Sequence, residues 1–301
     1  MDNKVYQMVT ARIIEQMDKG IIPWHKPWHI AGGTEEMAIN YVSRKPYSTL
    51  NQWLLLEPGE YLTFTQIKAL KGNIKKGAKS RFVVFYTQVP YEKTDEETGE
   101  KTRHSYPLLR YYNVFRLADC EGIQSKLPAP GEAPELPEAP MCGEADAAID
   151  EYVASQPTLV FRNDRPSDRA YYSPAEDKVV VPMRSQFDDM AEYYSTAFHE
   201  LTHSTLTESR CNRKKDGAGA SFFGTKSYSR EELVAEMGAA MLCSNFGVDT
   251  ARAFRNSVAY LQSWADNLKG DPKAVVIAAG RAEKAARYIL GERTNVEPAN
   301  A

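Results

Sequence analysis

Six consecutive residues, Phe198-His199-Glu200-Leu201-Thr202-His203, carry the strongest chemical signal in this 301-residue chain. The preceding Met190 to Ala197 contains no helix breaker, so the segment predicts a helix with His199 and His203 at i and i+4 on one face. That spacing brings two imidazoles to a common point, as a tetrahedral zinc ion requires. Glu200, beside the first histidine, can then take a proton from an activated water without occupying the metal. The competing reading is a solvated helix with two spectator histidines. A chain of this length carries His-Glu-x-x-His by chance roughly one time in a hundred, so the metal reading is preferred.

The remaining ligand must come from elsewhere. Tyr228 to Leu242 reads as a largely buried helix, with Glu232 and Glu236 one turn apart on a face that is otherwise apolar and small. Buried carboxylates are expensive unless paired or metal-bound, which makes both acids candidates. Ser229 and Glu232 also have capping-box spacing, a structural reason for the same glutamate, and Glu231 stands as the alternative ligand. Tyr228 is a possible oxyanion stabiliser, against the commoner role of a core tyrosine.

The elements that must position these groups are legible. Ala170 to Pro182 predicts a β-hairpin with a polar turn, whose edge strand could hold an extended peptide. Thr250–Leu268 and Pro272–Leu290 are helical by periodicity and alanine content. Ahead of them, Lys126 to Met141 (KLPAPGEAPELPEAPM) has the proline density of a semi-rigid linker.

The linker divides the charge. Up to Lys126 the chain carries 18 Lys and Arg against 14 Asp and Glu, and beyond it 19 against 26, so the net −3 hides a basic half and an acidic one. Five of the first half's acids fall in YEKTDEETGEKTRH, which predicts a solvated hairpin tip. The body of that half predicts a helix over Val5–Met17 and then an extended segment with two Pro-Trp pairs around Lys26. Beyond these come a short helix from Thr63 to about Leu70 and two β-type runs, Phe82–Thr87 and Leu109–Arg116, paired antiparallel. Lysines on a glycine-flanked loop beside aromatic strands suit phosphate contacts plus base stacking on a single strand. The candidate DNA contacts are Trp24, Lys26, Trp28, Tyr47, Asn51, Trp53, Lys75, Lys76, Lys79, Arg81 and Arg110, chosen by charge and aromaticity.

No run of about 18 apolar residues exists to span a membrane, and the N-terminus lacks the layout of a signal peptide. Cys120, Cys142, Cys211 and Cys243 form no Cys-x-x-Cys pair, so neither a disulfide framework nor a cysteine zinc knuckle is expected. These features together predict a cytoplasmic protein.

In order, VTARIIEQMDKGIIPWHKPW, RKPYSTLNQWLL, YLTFTQIKALKGNIKKGAKSRFVVFY and LLRYYNVFRLADCEGI resemble the N-terminal domain of ArdC-type antirestriction proteins and related conjugative-element primases. RAYYSPAEDKVVVP, FHELTH and FGTKSYSREELVAEMGAAMLC continue the resemblance into that family's metallopeptidase domain, similar in outline to DNA-dependent proteases of the Spartan type. The pattern Glu232-x-x-Ala235-Glu236 resembles the glutamate-zincin arrangement. That resemblance implies Glu232 as zinc ligand and Glu236 as the acid orienting a ligand histidine from behind. Ser204 stands where relatives usually carry tryptophan, and Cys211 where leucine is common, departures expected to alter the pocket walls.

The expectation is an α+β protein. Residues 1–125 would form a small single-stranded-DNA-binding domain and 126–142 the proline-rich linker, with residues 143–301 a mainly helical zincin-like metallopeptidase domain. The resemblance implies an antirestriction role on a mobile element, with Zn²⁺ as cofactor and single-stranded DNA and a protein or peptide as partners. The alternative is a non-catalytic DNA-binding protein whose zinc is structural. Residues 1–126 alone should then bind single-stranded DNA.

Overall fold

A computed structural model describes residues 3–19, 37–94, 101–127, 143–213, 226–248 and 268–292, with side chains outside the description at residue 3, at 87–108 and at 226–229. Trp24, Lys26 and Trp28 fall outside the described residues.

The N-terminal half runs α1 (Asn3–Met17), β1 (Ala38–Asn40), α2 (Thr49–Leu55), β2 (Gly59–Thr63), α3 (Phe64–Ala69), β3 (Asn73–Ile74), β4 (Arg81–Thr94), β5 (Lys101–Arg116) and β6 (Cys120–Glu121). The main sheet has the order β1-β2-β5-β4, parallel between β1 and β2 and antiparallel elsewhere, while β3 and β6 form a separate pair. The expected pairing of the two β-type runs is present, with Phe85 opposite Arg110 and Val83 opposite Tyr112. Thr63 and Gln66 close a reciprocal capping box that starts α3.

The C-terminal half contributes α4 (Gly143–Ser155), β7 (Val160–Arg162), β8 (Tyr171–Ser173), β9 (Lys178–Val180), α5 (Met190–Ser204), α6 (Lys226–Asn245) and α7 (Ala274–Ile289). The small sheet has the order β7-β9-β8, which leaves β8 at an edge. Asp189 caps α5 by accepting from the Ala191 amide at 2.8 Å. Helix α6 already runs from Lys226, so Ser229 lies inside it and the capping-box reading of Ser229 and Glu232 is overturned. Helices α5 and α6 cross at Gly238, where an added Cβ would lie 2.6 Å from the Thr202 methyl. Only glycine lets the two helices approach this closely.

The two halves share one core. The buried stripe Val5, Val9, Ile13 and Met17 of α1 packs with Trp53 and Val84, with Leu233, Val234 and Met237 of α6, and with Val275, Ala278 and Ala282 of α7. Thr10 Oγ1 donates to the Pro272 carbonyl at 2.8 Å across the same seam. Residues 1–126 cut away alone would expose this apolar face. Among the described residues, no helix is long and apolar enough to cross a membrane.

Candidate metal centre

Helix α5 presents His199 and His203 one turn apart, and α6 brings Glu232 to them. The Nε2 atoms of the two histidines are 3.1 Å apart. His199 Nε2 lies 3.4 Å from Glu232 Oε2, and His203 Nε2 lies 3.3 Å from Glu232 Oε1. Ligands about 2.1 Å from a tetrahedral ion are separated by roughly 3.4 Å, and one donor atom from each of the three side chains lies within 4.8 Å of the others, close enough to converge on one ion. Two facing Nε2 atoms make a poor hydrogen bond but a good pair of converging lone pairs. The donor set therefore fits a divalent metal of the zinc class.

The other ring nitrogens point at acids. His203 Nδ1 is 3.6 Å from Glu231 Oε1, and His199 Nδ1 is 3.8 Å from Glu236 Oε1. Carboxylates in this position favour the Nδ1–H tautomer and free Nε2 for a metal. Glu231 is held in turn by Arg213, whose guanidinium donates to it at 3.0 and 2.5 Å and also to Thr205 Oγ1 and the Thr202 carbonyl. Both members of this pair are buried. Burial alone would raise the Glu231 carboxyl, but the His203 and Arg213 bonds hold it below its ordinary value. Burial opposes charge on His203 as well, and Glu231 and Glu232 outweigh it, pushing the imidazole up to about 10. Glu232 is held low against its own burial by the two histidines.

Glu200 is buried at the side of this cluster. Desolvation raises its pKa, against the pull of His199 and His203 and of the nearby Tyr172 backbone. Strand β8 packs against α5, with Tyr172 close to Glu200. The strand is fixed there by the β8–β9 turn, where Asp177 accepts from Arg210 at 2.9 and 2.6 Å, and Arg210 also donates to the Ser204 carbonyl at 2.7 Å. The edge strand is thus tied to the end of the helix that carries the histidines.

Several expectations need correction. Ser204 is fully buried and its Oγ meets the Tyr152 hydroxyl at 2.9 Å, while Cys211 is buried beside the Lys284 carbonyl. Ser204 fills core space rather than a pocket wall. Trp53 is 1% exposed in the shared core, and Asn51 is 2% exposed with its amide bonded to both backbone groups of Val84. Trp53 has no open face for stacking, and the Asn51 amide is committed to Val84. Tyr47 is also buried, accepting from Asn40 at 3.3 Å. Arg81 is engaged by Glu57 and Asp119, and Lys75 donates to the Ala118 carbonyl. Lys76, Lys79 and Arg110 are exposed. The side chain of Tyr228 lies outside the described residues.

Sequence reasoning missed Arg213 and the Tyr172 backbone and gave Glu231 only as an alternative ligand. It pointed to the aromatic strands for base stacking without naming Phe85, Tyr86, Tyr111 and Tyr112, which are exposed.

Residues 3–115 match the N-terminal domain of the anti-restriction factor ArdC, and residues 148–281 match a zincin-like metallopeptidase family. The y4eC protein of Sinorhizobium fredii is 28% identical over 304 residues, covering 97% of this chain and 94% of that one. The DNA primase TraC of Escherichia coli is 27% identical over 302 residues, which span 95% of this chain but 27% of the primase. The Mn(II)-bound crystal structure of the antirestriction protein ArdC from the R388 plasmid is similar with a TM-score of 0.68 and 30% identity, covering 99% of this chain and 100% of that one. The metal-free crystal structure of the same protein gives 0.67 and 31%, covering 96% and 97%. With both halves matched in order and a 31% identical relative spanned almost end to end, the chain belongs to the ArdC family of antirestriction proteins.

Proposed function

We propose that this protein is a zinc-dependent metalloprotease that also binds single-stranded DNA and protects the incoming DNA of a mobile element in the recipient cytoplasm. The observation that carries the catalytic half is the convergence of His199, His203 and Glu232, whose donor atoms, one from each residue, lie within 4.8 Å of one another, with Glu200 buried beside them. These three residues would hold the zinc, which supplies a Lewis acid for a carbonyl and acidifies a water.

The chain's own residues do the rest. Glu200 accepts the proton of the attacking water on its carboxylate and returns it to the leaving amine nitrogen. Its raised pKa suits it to hold that proton between the two events. Glu236 and Glu231 keep the histidines in the metal-binding tautomer. The free edge of β8 takes the peptide as an added strand and so lays the scissile bond beside Glu200. Tyr228 is assigned as the oxyanion stabiliser.

DNA binding is supported by the ArdC N-terminal match, by the exposed cations Lys76, Lys79 and Arg110, and by exposed aromatics of the β4–β5 pair, where Phe85 lies opposite Arg110. The test is cleavage of an unstructured protein by the full chain, with and without single-stranded DNA, comparing wild type, chelator-treated and Glu200→Gln protein. Chelator-sensitive cleavage lost in Glu200→Gln supports the reading. Antirestriction activity that survives in Glu200→Gln but not in a metal-site variant would favour a structural zinc.

A further inference from the structure

A groove of about 1070 Å³ opens where α1, α2 and β4 of the N-terminal half meet α7 of the metallopeptidase half. Its walls are mainly basic. Lys45 stands on the N-terminal side, and Lys273, Arg281 and Lys284 stand along α7. The acid on this stretch, Glu283, is neutralised by Arg287 at 2.8 Å. Tyr6, Phe85 and Tyr86 line the same groove, the last two about half exposed, and Lys273 sits 5.7 Å from the Tyr6 ring.

The floor is bare for a reason that packing does not supply. Gly280 lies within α7, where glycine weakens a helix, yet an added Cβ would meet no atom of the described residues within 4 Å. What the glycine provides is room beside the helix backbone, between the exposed Ile277 and Lys284.

Cations spaced along a channel, flat aromatic faces and a cleared floor match a flexible polyanion with exposed rings, which is a single strand of nucleic acid. A duplex hides its base faces from such a wall. We infer that the DNA strand runs through this groove, so that α7 of the metallopeptidase half forms one side of the DNA site. The inference rests on the proposed binding of single-stranded DNA by the whole chain. It has a structural corollary, because the opposite face of α7 packs on Leu233, Val234 and Met237, the residues of α6 that flank Glu232 and Glu236. A strand in the groove therefore lies against the layer that holds the metal-site acids.

The experiment is anisotropy of a fluorescent oligothymidylate titrated with the full chain at several salt concentrations. Neutralising Lys273, Arg281 and Lys284 together to alanine should weaken binding at least about tenfold and lower the log–log salt slope by about 2. Gly280→Gln favours the helix and fills the floor, so it should weaken binding while the protein stays folded. Wild-type binding that neither variant changes, while Lys76→Ala with Lys79→Ala abolishes it, would overturn the groove and leave DNA binding standing. Absence of binding by wild type would overturn both. Polyglutamate competing as well as unlabelled oligonucleotide would assign the groove to an acidic polypeptide instead.

Discussion

The metal centre and the groove use charge in opposite ways. Around His199 and His203 the acids are buried or half-buried and each is held by a second group. Glu231 has Arg213 and His203, Glu232 has both histidines, and Asp177 has Arg210. Along the groove the cations sit on long stems at a wet surface, with Lys45, Lys273 and Lys284 all exposed. Buried charge is over-determined by geometry, because an uncompensated ion in a low dielectric is expensive. Exposed charge is screened and additive. Substitutions in the first region should act as breaks, and substitutions in the second as gradations.

Arg213→Met should give the largest loss of stability, about 3–5 kcal/mol by denaturant unfolding, because it leaves Glu231 buried without its guanidinium. Metal affinity should fall about 10–100-fold in the same variant, since the acid that orients His203 loses the group that anchors it. A loss near zero on both would erase the contrast between the two regions.

Gly238→Ala comes next. Its methyl would sit 2.6 Å from Thr202, which is buried on α5, and the helices must separate. About 1–3 kcal/mol should be lost, with metal affinity, and Thr202→Ala in the same chain should restore part of both. Additive effects of the two substitutions would show that this crossing does not set the distance from His199 to Glu232.

Acid sensitivity sharpens the comparison further. Burial alone would raise the Asp177 carboxyl, but bonds from Arg210, Thr158 and Tyr172 hold it below its ordinary value of 3.8. Its contribution is therefore present above that value and lost as pH falls through the lower folded value. Asp177→Asn should destabilise the protein at neutral pH and flatten the acid end of its stability curve. An unchanged acid limb would mean the pair does not pin β8 to α5.

The smallest effects belong to single groove substitutions. Lys273→Ala or Lys284→Ala should change stability by no more than about 0.5 kcal/mol and weaken DNA binding in small, salt-dependent steps. An all-or-none response to either would place the groove with the metal centre.

The same distinction explains what could be read from residue order. Helical spacing alone aligns His199 with His203, and the periodicity of α6 and α7 and the pairing of Phe82–Thr87 with Leu109–Arg116 are local signals too. Glu232 was legible as an acid on an apolar face. Which acid serves which histidine was not, because it depends on the α5–α6 crossing at Gly238. Arg213 follows an irregular turn with Asn212 in the left-handed region, so no periodicity points it at Glu231. Asn51 and Trp53 look like nucleic-acid contacts by residue type, yet α2 turns both inward, Asn51 to cap the backbone of Val84 and Trp53 to join the two halves. The proline-rich linker and the charge split suggested two independent domains. The apolar stripe of α1 was visible, but nothing in the sequence said that its partner lay more than 200 residues away in α6 and α7.

The central claim is that Glu200 works as a base beside a metal held by His199, His203 and Glu232. Its most direct test is the turnover of a peptide substrate by zinc-loaded full-length protein and by Glu200→Gln, with zinc content measured on the same samples. The account predicts one zinc per chain in both and a fall in kcat of about 10² to 10⁴ in the variant. Equal turnover by both proteins, or no turnover by zinc-loaded wild type, would contradict it.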